Sequence, residues 1–485
     1  MAALATQMEH FGLMSAMAQN TEGSSDDLGG DNYKALVLCY FDGGNDGNNM
    51  VIPNHSDATL SNYQTYFNAR NTAGLALPQA SLLPISVPQM GGLSYGLHPA
   101  FGPMTGSAGA NNGLHELWAL GKMAIVPNVG TLVRPTTKAQ MGQSTHPKPY
   151  QLYSHSDQTN QAQNANARAP LFTGWGGRIA DRMTLGSNPN AVIPMVTSIS
   201  GTQLFTAAQS NLPLAIGQAN NTGTPNLSTV LNPVGFTNTG GAQRLTAFNQ
   251  IRGQEVVSTA NFVKAAALIT DKAMIANAAL QGSQEVTVTF PNTGISLQLK
   301  QVARLIKERL DLNTNRQIFF VRMGGFDTHS DQLPAHTNLF TQFSQAVRAF
   351  YDEMGAQGMQ NNVTLFTLSD FGRTLSPSGS GSAVGTDHAW GNHMFVVGGS
   401  VTGGNFYGIN STNGTPFPTM AFNGPDDADG GTGARGRWIP TTSVEQYAAT
   451  LAKWYGLPQD AATLAAVFPN IANFTNTDLG FLPPV

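Results

Sequence analysis

The chain has 485 residues, 41 % of them hydrophobic and only 11 % charged, with 24 Lys and Arg against 28 Asp and Glu for a formal net charge of −4. Charged residues stand well below the roughly 25 % usual in soluble domains and form no Lys/Arg cluster, which excludes the electrostatic footprint of a nucleic-acid binder. No apolar run approaches the about 20 residues that a bilayer-spanning helix needs, and low net charge with abundant Gly, Asn, Thr, Ser and Gln reads as a folded, loop-rich protein.

Residues 1–30 lack a basic n-region and a proper apolar stretch and end in the turn-like Ser24-Ser-Asp-Asp-Leu-Gly-Gly30. They read as an N-terminal arm or leader remnant without an intact export signal. The run Ala35 to Phe41, followed by Gly43, Gly44 and Gly47, predicts a strand buried on both faces of a parallel sheet. Cys39, the single cysteine, lies inside it and reads as a buried strand residue, not a thiol nucleophile. Residues 113–121 have helical spacing and 123–127 form a short strand.

From 188 to 239 the sequence turns rich in Thr, Asn, Gly and Pro, and 242–279 carries long helical patterns, so 188–292 is expected to be an insertion or cap. Regular alternation then returns. It predicts a helix over 296–310, a strand over 317–322, a helix over 333–354, strands over 362–368 and 394–397, and a helix over 443–455. The expected fold class is α/β, a doubly wound, mostly parallel sheet whose core comprises 31–187 and 293–485.

Ligands of such sheets bind beyond the carboxyl ends of the strands, and the residues that follow the apolar runs are consistently polar. Asp46 follows the first strand, Gly324-Gly-Phe-Asp327-Thr-His329-Ser-Asp331 the strand over 317–322, and Ser369-Asp370-Phe-Gly-Arg373 the strand over 362–368. A fourth group, Gly385-Thr-Asp387-His388, with His393 just beyond, precedes 394–397. Mixed carboxylate and imidazole donors suit a divalent metal, with zinc, manganese, magnesium or calcium as the candidates, and the expected ligands are Asp46, Asp327, His329, Asp370 and His388. Two ions about 3.5 to 4 Å apart would clamp a phosphate or sulfate ester. The plainer alternative is that these acids cap turns and helices, with Asp46 serving a Gly-Asn-Asp-Gly turn. Arg373 is read as binding an anionic substrate or pairing with Asp370, and His155 as functional or structural with equal weight. His98 is read as a turn residue and Trp175 as packing.

The motifs GGNDGNNMVIP (43–53), SHSDQ (154–158), GWGGR (174–178), GGFDTHSDQ (324–332), SDFGRT (369–374) and GTDH (385–388) resemble those of the bacterial family of domain of unknown function 1501. That family is grouped with the alkaline phosphatase and sulfatase superfamily, and the similarity runs from about Tyr33 to Leu482. The resemblance implies an alkaline-phosphatase-like sheet and a hydrolase of phosphate or sulfate esters, with a small-molecule or glycan ester as substrate. Family members typically carry a twin-arginine export signal, which implies a periplasmic or secreted location, although this sequence lacks the paired arginines.

By the same resemblance, Asp46 corresponds to the carboxylate bridging toward a second metal and His388 to the last histidine ligand, with Asp387 or His393 as its partner. Asp327 with His329 resembles an Asp-x-x-x-His pair, shortened here, which leaves open whether His329 or Asp331 completes the site. Asp370 resembles the acid of an Asp-His-Gly motif whose histidine is replaced by Phe371. The superfamily mechanism needs a Ser or Thr nucleophile, for which Ser154 beside His155 is the first choice, ahead of Thr131 and Ser144. A formylglycine sulfatase is disfavoured, because Cys39 has no Pro and Arg at the required spacing. The alternative to an enzyme is a non-catalytic exported protein that keeps the fold for binding or surface assembly.

Overall fold

The computed structural model describes residues 32–103, 113–220, 240–264, 266–267, 270–271, 285–379 and 383–483. The arm expected over 1–30, and the parts of the expected insertion at 221–239 and 272–284, lie outside the described residues.

Strand β1 (Lys34–Phe41) is apolar at nearly every position because both its faces are covered. Ala35, Val37, Cys39 and Phe41 point into one core, and Leu36, Leu38 and Tyr40 into the other. Alternation sends successive side chains to opposite faces, so a strand buried on both needs a continuous hydrophobic run. Cys39 is fully buried, and that burial pushes its thiol far above the ordinary range, away from nucleophilic use.

The remaining strands are β2 (Val51–Pro53), β3 (Leu83–Val87), β4 (Leu93–Leu97), β5 (Met123–Gly130), β6 (Val196–Ser198), β7 (Leu214–Ala215), β8 (Arg316–Met323), β9 (Val363–Ser369), β10 (Arg373–Ser378), β11 (Gly385–His388), β12 (Asn392–Gly398) and β13 (Thr442–Ser443). Eight of them build the central sheet in the order β13-β5-β12-β9-β1-β8-β6-β7. The sheet is mostly parallel, as expected, but β12 runs antiparallel to both its neighbours, β5 and β9. The reason is local: β9 reaches β12 through the β10–β11 hairpin, and a connection without a helical crossover reverses the chain.

Helices cover both faces. Gly113–Ala119 (α1), Gly294–Lys307 (α2) and Gln332–Ala356 (α3) pack through residues such as Leu117, Val302 and Phe343 into the first core. Trp175–Ser187 (α4) and Val444–Tyr455 (α5) supply Trp175, Ile179, Tyr447 and Leu451 to the second. Trp175 packs edge-on against Phe205, centroids 4.7 Å apart, in the packing role expected of it. Within 188–292, β6 and β7 extend the sheet, whereas the helix Gly241–Val256 buries only Gly241. Among the described residues no helix is long and apolar enough to cross a membrane.

The register positions the site. Phe41 is paired with Met323 on one side and Ser369 on the other, so β8, β1 and β9 end level and release their loops at one rim.

His98, His336 and His393 are each at most 2 % exposed. Burial lowers the imidazoles of His98 and His336 to about 4 and that of His393 to about 3. Each folded value lies below the unfolded value of about 6.5, so unfolding takes up protons on acidification. The stability these neutral imidazoles contribute is present above about pH 6.5 and is lost as pH falls toward their folded values. Urea midpoints are therefore expected to drop between pH 7 and pH 5; a flat profile across that range would rule this account out.

Candidate metal centre

Four side chains meet at the rim. Asp327 and His329 arrive on the loop after β8, His388 ends β11, and His155 opens the helix His155–Asn164. His155 Nε2 lies 3.1 Å from His388 Nε2, and His329 Nε2 lies 3.2 Å from the same atom. Asp327 Oδ1 is 3.0 Å from His329 Nε2, 3.3 Å from His155 Nε2 and 3.5 Å from His388 Nε2. A tetrahedron around an ion with bonds of about 2.0 to 2.1 Å has edges of about 3.3 to 3.4 Å. The spacing of His155 Nε2, His388 Nε2 and Asp327 Oδ1, 3.1 to 3.5 Å, therefore suits three ligands of a zinc-sized ion, and His329 Nε2 lies beside two of them.

The tautomers provide an independent test of fit. His155 Nδ1 is 2.5 Å from Asp370 Oδ2, and His388 Nδ1 is 2.8 Å from the Tyr153 carbonyl oxygen. Both partners are acceptors, so each Nδ1 carries the proton and each Nε2 presents a lone pair. His329 Nδ1 faces Asp387 Oδ1 at 3.4 Å in the same sense. Two such nitrogens at about 3.1 Å need either a shared proton or a metal cation between them. A carboxylate or carbonyl on the far nitrogen is also what orients metal-bound imidazoles. The residues fit a divalent ion.

Beneath the cluster, Arg373 is 1 % exposed. It donates to Asp327 Oδ1 at 2.5 Å and to the carbonyl oxygens of Gly44, Thr386, Phe326 and Gly43. Burial alone would raise the Asp327 carboxyl, but the Arg373 hydrogen bond and charge, with His155 and His329, hold it down at about 2. Arg373 thus pairs with Asp327, not with Asp370, and its guanidinium is buried among protein acceptors and not presented to solvent. The hydrogen bond that His155 donates to Asp370 raises its imidazole above the ordinary value, while burial lowers that of His388. The loop after β1 closes tightly over this region. Gly43 has φ +113°, and a Cβ there would stand 2.5 Å from the Asp327 nitrogen.

Several expected site residues sit elsewhere or act differently. Asp46 is fully buried; both its oxygens accept from Arg70, at 2.6 and 2.9 Å, and Gln332 donates to it at 2.6 Å. Burial would raise its pKa, but Arg70 keeps it ionised. Asp370 directs one oxygen at His155, while the other accepts from the Gly44 N–H at 2.6 Å and the Ser369 hydroxyl at 3.0 Å. It stands behind a donor, where Asp387 also stands. Phe371 occupies the place where the resemblance would put a histidine, its ring centroid 4.6 Å from that of His155 and 4.8 Å from that of His388.

The Ser154 hydroxyl donates to Asp157 at 2.6 Å; Thr131 is buried and Ser144 exposed. Asp331 begins α3, and His393 is buried, its Nδ1 accepting from the Asn128 N–H at 3.1 Å. Among the described residues the group whose donor atoms all lie within 4.8 Å of one another is His155, Asp327 and His388. His155 is the donor that the sequence leaves evenly between a functional and a structural role; its one signal is its position in the SHSDQ motif.

Removing Asp46 would strand a buried guanidinium. Asp46→Ala is expected to cost about 3 to 5 kcal/mol of stability in denaturant unfolding while leaving the metal stoichiometry of the folded protein intact. Loss of metal without loss of stability would contradict this assignment.

The model of the family described as "Protein of unknown function (DUF1501)" matches residues 33–418. None of the curated proteins matches the chain. Among solved structures, Ps i-CgsB in complex with k-i-k-neocarrahexaose is similar at a TM-score of 0.33 and 8 % identity, covering 92 % of this chain and 78 % of that one. The PsFucS1 sulfatase from Pseudoalteromonas sp. is similar at 0.27 and 10 % identity, covering 82 % and 68 %. Wild-type alkaline phosphatase PafA is similar at 0.26 and 11 %, covering 71 % and 64 %. At TM-scores of this size the likeness assigns no chemistry to the chain.

Proposed function

This chain belongs to the DUF1501 family of proteins of unknown function, and from the site it carries we propose that it is a hydrolase of phosphate or sulfate esters dependent on one divalent metal. The observation that supports the reading is the convergence of three Nε2 lone pairs and one carboxylate oxygen at the carboxyl rim of the sheet. A structural ion would serve to hold a fold together, whereas these donors come from segments already fixed by strand register and buried hydrogen bonds. The cluster is also open to solvent: the side chains of Asp327 and His329 are 49 % and 50 % exposed. An ester has access to it.

A divalent ion, when bound, supplies Lewis-acid polarisation and lowers the pKa of water, which is what ester hydrolysis requires. His155, His329, His388 and Asp327 would hold it. Asp370, Asp387 and the Tyr153 carbonyl keep the Nδ1 protons in place so that the Nε2 atoms stay free to bind, and Arg373 keeps Asp327 ionised. Arg322 beside Asp42 and Arg435 beside Asp387 place partly exposed guanidinium groups at the same rim, which suits an anionic ester. With the Ser154 hydroxyl committed to Asp157, water is the nucleophile in this reading, not a Ser or Thr side chain. The periplasmic or secreted location implied by the family resemblance is kept as part of the proposal.

Metal analysis of the purified protein with a screen of phosphate and sulfate esters tests the reading. Asp327→Ala and His388→Ala are expected to lose the ion and about a hundredfold or more of turnover, and Asp370→Asn to weaken metal binding about 10- to 100-fold. Protein that binds no divalent ion, or undiminished hydrolysis in both alanine variants, would defeat it.

A further inference from the structure

Resting on that metal reading, we propose that the loop from Asn423 to Trp438 is a brace that aims two of the four donors, with Arg435 and Arg437 as positioning residues. The loop lies beyond residue 418, where the family match ends. It is built around Asp427, which is fully buried. One Asp427 oxygen accepts the N–H groups of Asp429 and Arg437 at 3.0 and 3.2 Å, and the other those of Asn423 and Gly436 at 3.0 and 3.2 Å. Four backbone donors on one carboxylate fix where the loop's two arginines leave the chain.

Each arginine then holds a neighbour of a different histidine donor. Arg437 Nε donates to the His388 carbonyl at 2.8 Å, and its guanidinium lies 4.9 Å from the ring centroid of Tyr153. Tyr153 is the residue whose carbonyl takes the His388 Nδ1 proton, and it holds a left-handed φ of +71° to do so. A non-glycine residue in that region persists only where its surroundings hold it. Arg437 holds it by stacking on the ring while gripping the His388 backbone, and is itself fixed by two bonds to Asp429 at 2.9 and 3.1 Å. Arg435 pairs with Asp387, the carboxylate that faces His329 Nδ1. One loop thereby governs the direction of His388 through Tyr153 and of His329 through Asp387.

Titration of the metal-free full chain with cobalt(II) and zinc(II) tests this, with the cobalt absorption spectrum reporting coordination geometry. Wild type is expected to bind with a tetrahedral cobalt spectrum. Arg437→Gln is expected to bind about 10- to 100-fold more weakly with an altered spectrum. Arg435 is partly exposed, so Arg435→Gln guards against a variant that fails to fold; it is expected to weaken binding similarly, and Arg435→Lys, which keeps the charge opposite Asp387, to restore it. Wild-type affinity and spectrum in both glutamine variants would overturn the brace and leave the metal site standing. Absence of cobalt and zinc binding in wild type would overturn both.

Discussion

Three neighbouring parallel strands must stop at the same height for anything else at this site to happen. The pairing of Phe41 with both Met323 and Ser369 fixes that height. A shift by one residue would exchange the faces of every side chain in a strand, and would set Cys39 and Phe41 of β1 toward the core where Leu38 and Tyr40 now pack. The packing of each face therefore holds the register, and the register places the loop carrying Gly43 between the one that carries Asp327 and His329 and the one that carries Asp370. Burial of aliphatic side chains well below the rim thus sets which polar atoms meet at the rim.

The electrostatics of the cluster are arranged from beneath. Arg373 is taken out of water and surrounded by four carbonyl oxygens and one carboxylate, so its charge is compensated by dipoles as much as by a counter-ion. Its single full partner is the Asp327 oxygen that also faces the three imidazoles. That oxygen is shared between a permanent cation below and the space where another would sit above. Arg70, also buried, has a different arrangement: Asp46 accepts from it through both oxygens and is itself fully buried. Two Asp–Arg pairs of similar composition thus do different work, according to whether the carboxylate has a side left over.

Much of this was legible in the sequence. Unbroken apolar runs ending in Gly-rich polar segments marked β1, β8 and β9, and with them the neighbourhood of Asp327, His329 and Asp370. The reversal of β12 was not legible, because an apolar run has no direction and only the missing crossover helix hinted at it. Asp46 was misplaced because a carboxylate after a strand looks the same whether it faces solvent or an arginine such as Arg70, 24 positions away. The role of His155 was hidden for a related reason. Its assignment depends on Asp370 across 215 residues, and that of His388 on a backbone carbonyl, which has no signature in the side-chain sequence.

The lone antiparallel strand has an effect on how the site is supplied. A strand running against its neighbours begins where they finish, so β12 starts at the rim and the chain leading into it needs no return journey across the sheet. His388 is therefore delivered by the entry to a strand, four residues before Asn392, while Asp327 and His329 are delivered by the exit from another. Sequence changes on the far side of the sheet can lengthen or shorten the parallel crossovers without altering that short lead-in. The imidazole arriving there is insulated from the part of the architecture where insertions are most easily accommodated.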